Sequence, residues 1–499
     1  MSGSVSVLDE IPWDFRTPGT YVRVRPEYSQ SGLLDFPAYG LIVAGMLATG
    51  TAVAGQVYNL YTPDQARLLG GVGSCGAQAA NAWLAANPYT PVDIVFLADP
   101  VGGTAATITL TFGTFTLAAP WSVVCRIGGV STAVTLTVGS TQNDLVAALI
   151  AALNANGDLP VIAAPASGTV VLTAKHKGII GNAIDVALIT DPTTVTPTGA
   201  TLKVGATATR ATLAGGAASP DITTVWNGIS SSWYTDIVCA FTDTTSVAAL
   251  ATELSRRYTA SVRQDAQGYL SYGATLGTYK TALGTLNCPY LAVLPVQNQK
   301  TPPWVAAAQF AAVCALRSAN DPALQMRGLA LPSVLAPDQP DMYFEAENNQ
   351  LLHNGASTIE MRRDGTVQLQ RVVSTYTTNA LGAPDTAWLD IMVAKVATRI
   401  RWDWRNYIAL QYPSNKLADD GSRAAEYDDT VATPKRLLAS WIARTALYER
   451  AGWIEDAVDV NKGARFTRDP NDPNRVNAYQ PYRRIGNLMV LDVDLRFQA

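Results

Sequence analysis

The stretches YGLIVAGMLATG (39–50) and PDQARLLGGVGSCGAQAANAWLAANPYTPVDIVFLA (63–98) carry the reading that decides the fold. The apolar run from Tyr39 to Leu47 has the length of a strand. It falls far short of the ~20 residues a membrane-crossing helix needs. Two helical stretches follow, Asp64–Leu69 and Ala77–Ala86, and then a second apolar strand at 92–98. Strand, helix and strand in that order predict an α/β layer. Between the helices, Gly71, Gly73 and Gly76 spell GxGxxG. In a dinucleotide site those glycines would directly follow a strand, so that a pyrophosphate meets the helix N-terminus. Here they follow PDQARLL, which reads as helix. The pattern is therefore expected to be a turn between helices, and no cofactor is expected.

The α/β pattern resumes further on. TDIVCAF (235–241) and YLAVLPV (290–296) read as strands, SVAALATELSRRY (246–258) and WVAAAQFAAVCALRS (304–318) as helices. Between the two α/β stretches the composition turns to Thr, Ala, Val and Gly. Strand-like runs appear at 107–112, 134–138, 169–174, 184–189 and 200–204, and one helix at 141–156 has Thr141 and Asp144 in capping-box positions. Residues 98–217 are thus expected to be an inserted, mostly β domain. The core is expected to be discontinuous, 36–97 and 218–486, as 499 residues exceed the ~250–300 that one hydrophobic core holds.

Both ends look like arms. Residues 1–35 are broken by Pro12, Pro18, Gly19 and Pro26, but TYVRVR alternates, with Tyr21 and Arg23 on one face and Val22 and Val24 on the other. At the other end, NLMVLDVDLRF (487–497) sets Met489, Leu491, Val493, Leu495 and Phe497 against Val490, Asp492, Asp494 and Arg496. That is the cleanest period-2 strand in the chain. The fold class expected is an α/β (α+β) core with a mixed sheet and flanking helices, an inserted β-rich domain, and extended N- and C-terminal strand arms. Two long helices precede the last strand, Thr386–Leu410 and Pro434–Arg450. Thr433 caps the second, Pro434 opens it and Gly452 ends it.

Function classes can be narrowed from composition. The formal net charge of −4 lacks the basic field of a nucleic-acid binder. Only 15% of residues are charged, against about 25% usually, which fits a surface covered by partners or a merely neutral one. Five cysteines at irregular spacing form neither a disulfide framework nor a zinc site, which suits a reducing compartment. The N-terminus lacks the basic and apolar regions of a secretory signal. No phosphate-cradling GxxxxGK[ST] occurs. His176, in the polar loop AKHKG, and His353 are expected to be solvated or packing residues. The acidic loop of Asp419, Asp420, Glu426, Asp428 and Asp429 is expected to be solvated. No metal or catalytic site is expected. Lys435 and Arg436 are less ordinary, because they sit in the first helical turn, where the macrodipole disfavours cations. They either pair with Glu426–Asp429 or face an anionic partner.

Several segments together resemble contractile phage tail sheath proteins, particularly the Mu-like branch. TPGTYVRV resembles the family's N-terminal arm, and PDQARLLGGVGSCGAQAANAWLAANP its early helix–glycine–helix signature, with extra Gly and Cys in GGVGSCG. VVLTAKHKGIIGNAIDV is similar to a β segment of sheath insertions. LLHNGASTIEMRRDGTVQLQRVVSTYTTNALGAPDTAWLDI resembles the central block, and KLADDG, VATPKRLLASWIARTALYERAG and NDPNRV resemble the C-terminal core, in order.

The resemblance implies a structural subunit, not an enzyme, that forms a helical polymer of stacked rings around a tail tube. Its sheath would contract to drive the tube through a target envelope. It implies that arm strands, Tyr21–Val24 and Met489–Phe497, complete sheets of neighbouring subunits. It implies a tube-facing helix, for which Lys435, Arg436 and Arg444 are the candidates, while Leu437, Leu438, Trp441 and Ile442 would hold that helix to its own core. Baseplate and tail terminator proteins would be further partners, and the virion tail, assembled in the host cytoplasm, the location. The alternatives are another tail, baseplate or receptor-binding protein, or an α/β enzyme using the glycine or carboxylate loop.

Overall fold

Strands that are apolar on both faces suit a parallel sheet covered on each side by helices. The computed structural model, which describes residues 32–206 and 208–497, contains such a sheet. In order across it lie Leu291–Val296, Gln267–Gly273, Asp236–Cys239, Gly40–Gly45, Val92–Leu97 and Val57–Leu60. The first five run parallel, and Val57–Leu60 pairs antiparallel at the edge. Alternate residues feed two cores. Ile42, Ala44, Ile94, Phe96, Val238 and Leu294 join one, with the helices Cys75–Ala86 and Pro303–Asn320. Leu41, Val43, Val95, Ile237 and Val293 join the other, with Thr244–Arg257 and Leu276–Leu283. The result is a mixed sheet between helical layers.

The glycine pattern is a turn between the helices Pro63–Gly70 and Cys75–Ala86. Gly71 and Gly73 take positive φ, 86° and 81°, which only glycine adopts cheaply. Gly76 lies under Phe96, where a Cβ would come within 2.6 Å of the ring.

Between Ala105 and Thr212 two antiparallel sheets form. One runs Leu202–Val204, Ala105–Phe112, Thr169–Lys177, Val161–Ala166; the other Arg210–Thr212, Asp185–Thr190, Trp121–Ile127, Val130–Leu136. The helix Gln142–Ala155 packs against them through Leu145, Val146, Leu149 and Leu153. At its start the Asp144 carboxylate accepts the Thr141 N–H at 2.7 Å. Chain entry and exit are neighbours, since Thr104 and Ala217 exchange backbone hydrogen bonds. Phe36–Ala499 is one compact unit, and the apolar interior of these sheets is continuous with the first core. Ion pairs cross the joint, Arg67 with Asp158 at 2.7 Å and Arg210 with Asp338 at 3.0 Å.

The C-terminal part has its own packing. The long helix spans Ile391–Gln411, later than the expected Thr386 start; Asp390 stands at its N-cap and is paired with Arg371. The helix Pro434–Arg450 has the expected limits, with the Thr433 hydroxyl accepting the Arg436 N–H. Trp404 meets Trp441 edge-on at 5.2 Å, and Tyr448 stacks on Trp453 at 5.7 Å. Five strands of these three sheets were not read from the sequence, Val57–Leu60, Trp121–Ile127, Val161–Ala166, Arg210–Thr212 and Gln267–Gly273.

Candidate assembly site

An alternating strand needs a neighbour for its backbone groups and a core for its apolar face. Among the described residues, 487–497 has no strand partner in its own chain. The last backbone bond before it joins the Ile485 N–H to the Trp453 carbonyl. Asn487 and Met489 still touch the body of the chain. From Val490 onward Leu491, Asp492, Val493, Asp494, Leu495 and Phe497 are all exposed, Leu495 and Phe497 each at 89%. Among the described residues Arg496 pairs only with Asp494. The N-terminal candidates Tyr21, Val22, Arg23 and Val24 lie outside the described residues.

The three helix cations have different surroundings. Lys435 is exposed, and its backbone N–H is capped by the Asp420 carboxylate at 2.9 Å. Arg436 turns back on its own loop. It donates to the carbonyls of Val431 at 2.7 Å and Ala425 at 2.8 Å, with Asp429 at 3.5 Å. Arg444 is a correction. Its side chain is 2% exposed, and its guanidinium clasps Asp403, with Nε at 3.0 Å and Nη2 at 2.6 Å. Asp403 also accepts the Tyr448 hydroxyl at 2.7 Å, and burial together with that carboxylate pushes the phenol well up. A desolvated cation already held by a carboxylate has no face to offer a tube. Ile442 is exposed as well, so Trp441 and not Ile442 anchors the helix.

Residues weighed for chemistry are placed otherwise than expected in one case. His353 is exposed at a helix end. His176, expected in a polar loop, is buried on the strand Thr169–Lys177. Its Nε2 accepts the Cys75 N–H at 2.9 Å, which leaves the ring proton on Nδ1, 2.7 Å from Asp99. The imidazole thus occupies the N-terminus of the helix after the glycine turn and ties three segments together. In the acidic loop, Asp419 pairs with Arg468 and Asp428 with Lys416, both at 3.0 Å. The buried Asp403–Arg444 and Asp236–Lys395 pairs were not legible, because each partner lies far away in sequence. Among the described residues no helix is long and apolar enough to cross a membrane.

Comparison with known proteins adds an independent line. Residues 215–375 match the family model for the phage tail sheath protein central domain. The chain is 29% identical over 472 residues to a Mu-like prophage FluMu tail sheath protein of Haemophilus influenzae, covering 94% of this chain and 95% of that one. Among solved structures, the sheath complex of an extracellular contractile injection system, PVC, in its contracted state shares the fold. Its TM-score is 0.50 at 8% identity, over 97% of this chain and 99% of that one. The chain thus carries a match to the phage tail sheath central domain at residues 215–375 and is similar to a Mu-like prophage tail sheath protein along nearly its whole length.

Proposed function

We propose that the subunit polymerises helically around a tail tube, that its terminal strands join the sheets of neighbouring subunits, and that contraction of the polymer drives the tube through a target cell envelope. The observation that carries this reading is the exposed alternating segment Val490–Phe497, which pairs with no strand among the described residues. Burying Leu491, Val493, Leu495 and Phe497 stabilises an assembly by roughly 6–12 kcal/mol, at about 1.5–3 kcal/mol each. Ordering eight residues costs about 8–16 kcal/mol, at about 1–2 kcal/mol per residue. Side-chain burial alone therefore only balances the ordering cost. Backbone hydrogen bonds along a sheet edge tip the sum, and they exist only when the strand is added to a neighbour. Left unpaired, the same strand is an aggregation hazard.

The remaining parts of the reading rest on this one. The exposed Lys435 is the candidate contact to the tube. Baseplate and terminator proteins cap the polymer's ends. Assembly takes place in the host cytoplasm, and the 98–217 region lies on the outside of the polymer, as an inserted domain whose two ends are adjacent. The test is a chain lacking 487–499, followed by sedimentation and electron microscopy. It is expected to remain a folded monomer with a cooperative melt. Cylinders formed by the shortened chain would overturn the reading.

A further inference from the structure

The C-terminal strap is not free from its root. Asn487 Nδ2 donates to the Ala323 carbonyl at 2.8 Å. Gln325 Nε2 donates to the Leu488 carbonyl at 3.1 Å and also contacts the Met489 sulfur. Met489 packs half-buried against the first core. The loop that supplies Ala323 and Gln325 is itself fixed. Arg317 donates to the Gln325 carbonyl at 3.3 Å, and the Gly328 N–H to Leu369 at 2.8 Å. From the next residue, Val490, through Phe497 every residue is exposed.

We propose that Asn487, Met489 and Gln325 form a mooring that sets the face and register of the strap before it meets another subunit. Strand side chains alternate with a period of two, so a slip of one residue turns the whole apolar set to the wrong side. Met489 is the first member of the row Leu491, Val493, Leu495 and Phe497. Seating it fixes which way that row faces. It also fixes the strap's reach, about 26 Å for the eight residues Val490–Phe497 at about 3.3 Å each. The partner is a second copy of this chain, so the inference rests on the strap reading above.

The test uses the full-length chain, dilute and unassembled, with hydrogen peroxide as probe and peptide mass spectrometry as readout. Met489 is expected to oxidise on the order of tenfold more slowly than a solvent-facing methionine, since sulfoxide formation follows exposure. Met361, 39% exposed, is the internal reference. The double change Gln325→Ala, Asn487→Ala is expected to bring the two rates together, leave the melting temperature unchanged and lower the yield of cylinders on the order of tenfold, as expected of an unset register. Equal rates in the unchanged chain would overturn the mooring, whatever the variant does. So would normal cylinder yield from a variant whose Met489 has been released. The strap reading fails separately, if a chain ending at Met489 keeps the slow oxidation and still assembles.

Discussion

Arg444 shows how far a single residue can mislead. In the sequence it is one cation among four on an amphipathic helix. In the fold it is buried against Asp403, on a helix 41 positions earlier. Arg444→Ala should cost about 3–5 kcal/mol in urea unfolding, since it strands a buried carboxylate. The double change Asp403→Leu, Arg444→Met should cost less than the single one, because neither charge is then left unpaired. Asp428 gives a pH signature. The Thr430 hydroxyl and N–H, and then Lys416, hold its carboxyl down at about 2, below the ordinary 3.8. A lowered folded value means that its support for the loop is present above the ordinary value and lost as pH falls through about 2. Thr430→Val should raise that midpoint toward the ordinary value in an NMR titration of the Asp428 carboxyl.

Elements were legible where their signals are local. Thr433, Pro434 and Gly452 lie within or beside the helix they bound, and the limits Pro434–Arg450 were read correctly. Thr433→Ala should lower stability by about 1 kcal/mol, as loss of an N-cap does, measured by thermal or urea melts. The strand Gln267–Gly273 was missed for the opposite reason. It is buried on both faces and so shows no alternation. Its Gly268, which reads as a breaker, is there because a Cβ would lie 2.5 Å from Leu254. The pattern of 487–497 was legible but no partner was, since no strand among the described residues pairs with it. The helix cations also need separate tests. Arg436→Glu would free the loop it holds through Val431 and Ala425, so a docking defect there is ambiguous. Lys435→Glu alone should leave sheath-only cylinders and stability intact and weaken co-sedimentation with tube, an effect that added salt should mimic in the unchanged chain. Normal co-sedimentation would remove the tube contact from this helix.

At the scale of the whole molecule, the α/β layer followed from the strand–helix–strand order of 39–98. The joint between that layer and the β-rich region did not, because it is made by pairs distant in sequence. Arg67 with Asp158, Arg210 with Asp338, and His176 with Asp99 and Cys75 all cross it. Replacing residues inside the Thr104–Ala217 ladder by a short Gly/Ser linker should therefore lower the melting temperature, since those partners are lost. Cylinders should still form if the region lies outside the polymer. The central claim is that the chain is a subunit whose folded form is finished by its neighbours. Negative-stain electron microscopy of the purified full-length chain tests it most directly. Hollow cylinders of uniform diameter with a helical repeat are the predicted result; a population of monomers or small closed oligomers at high concentration would contradict it.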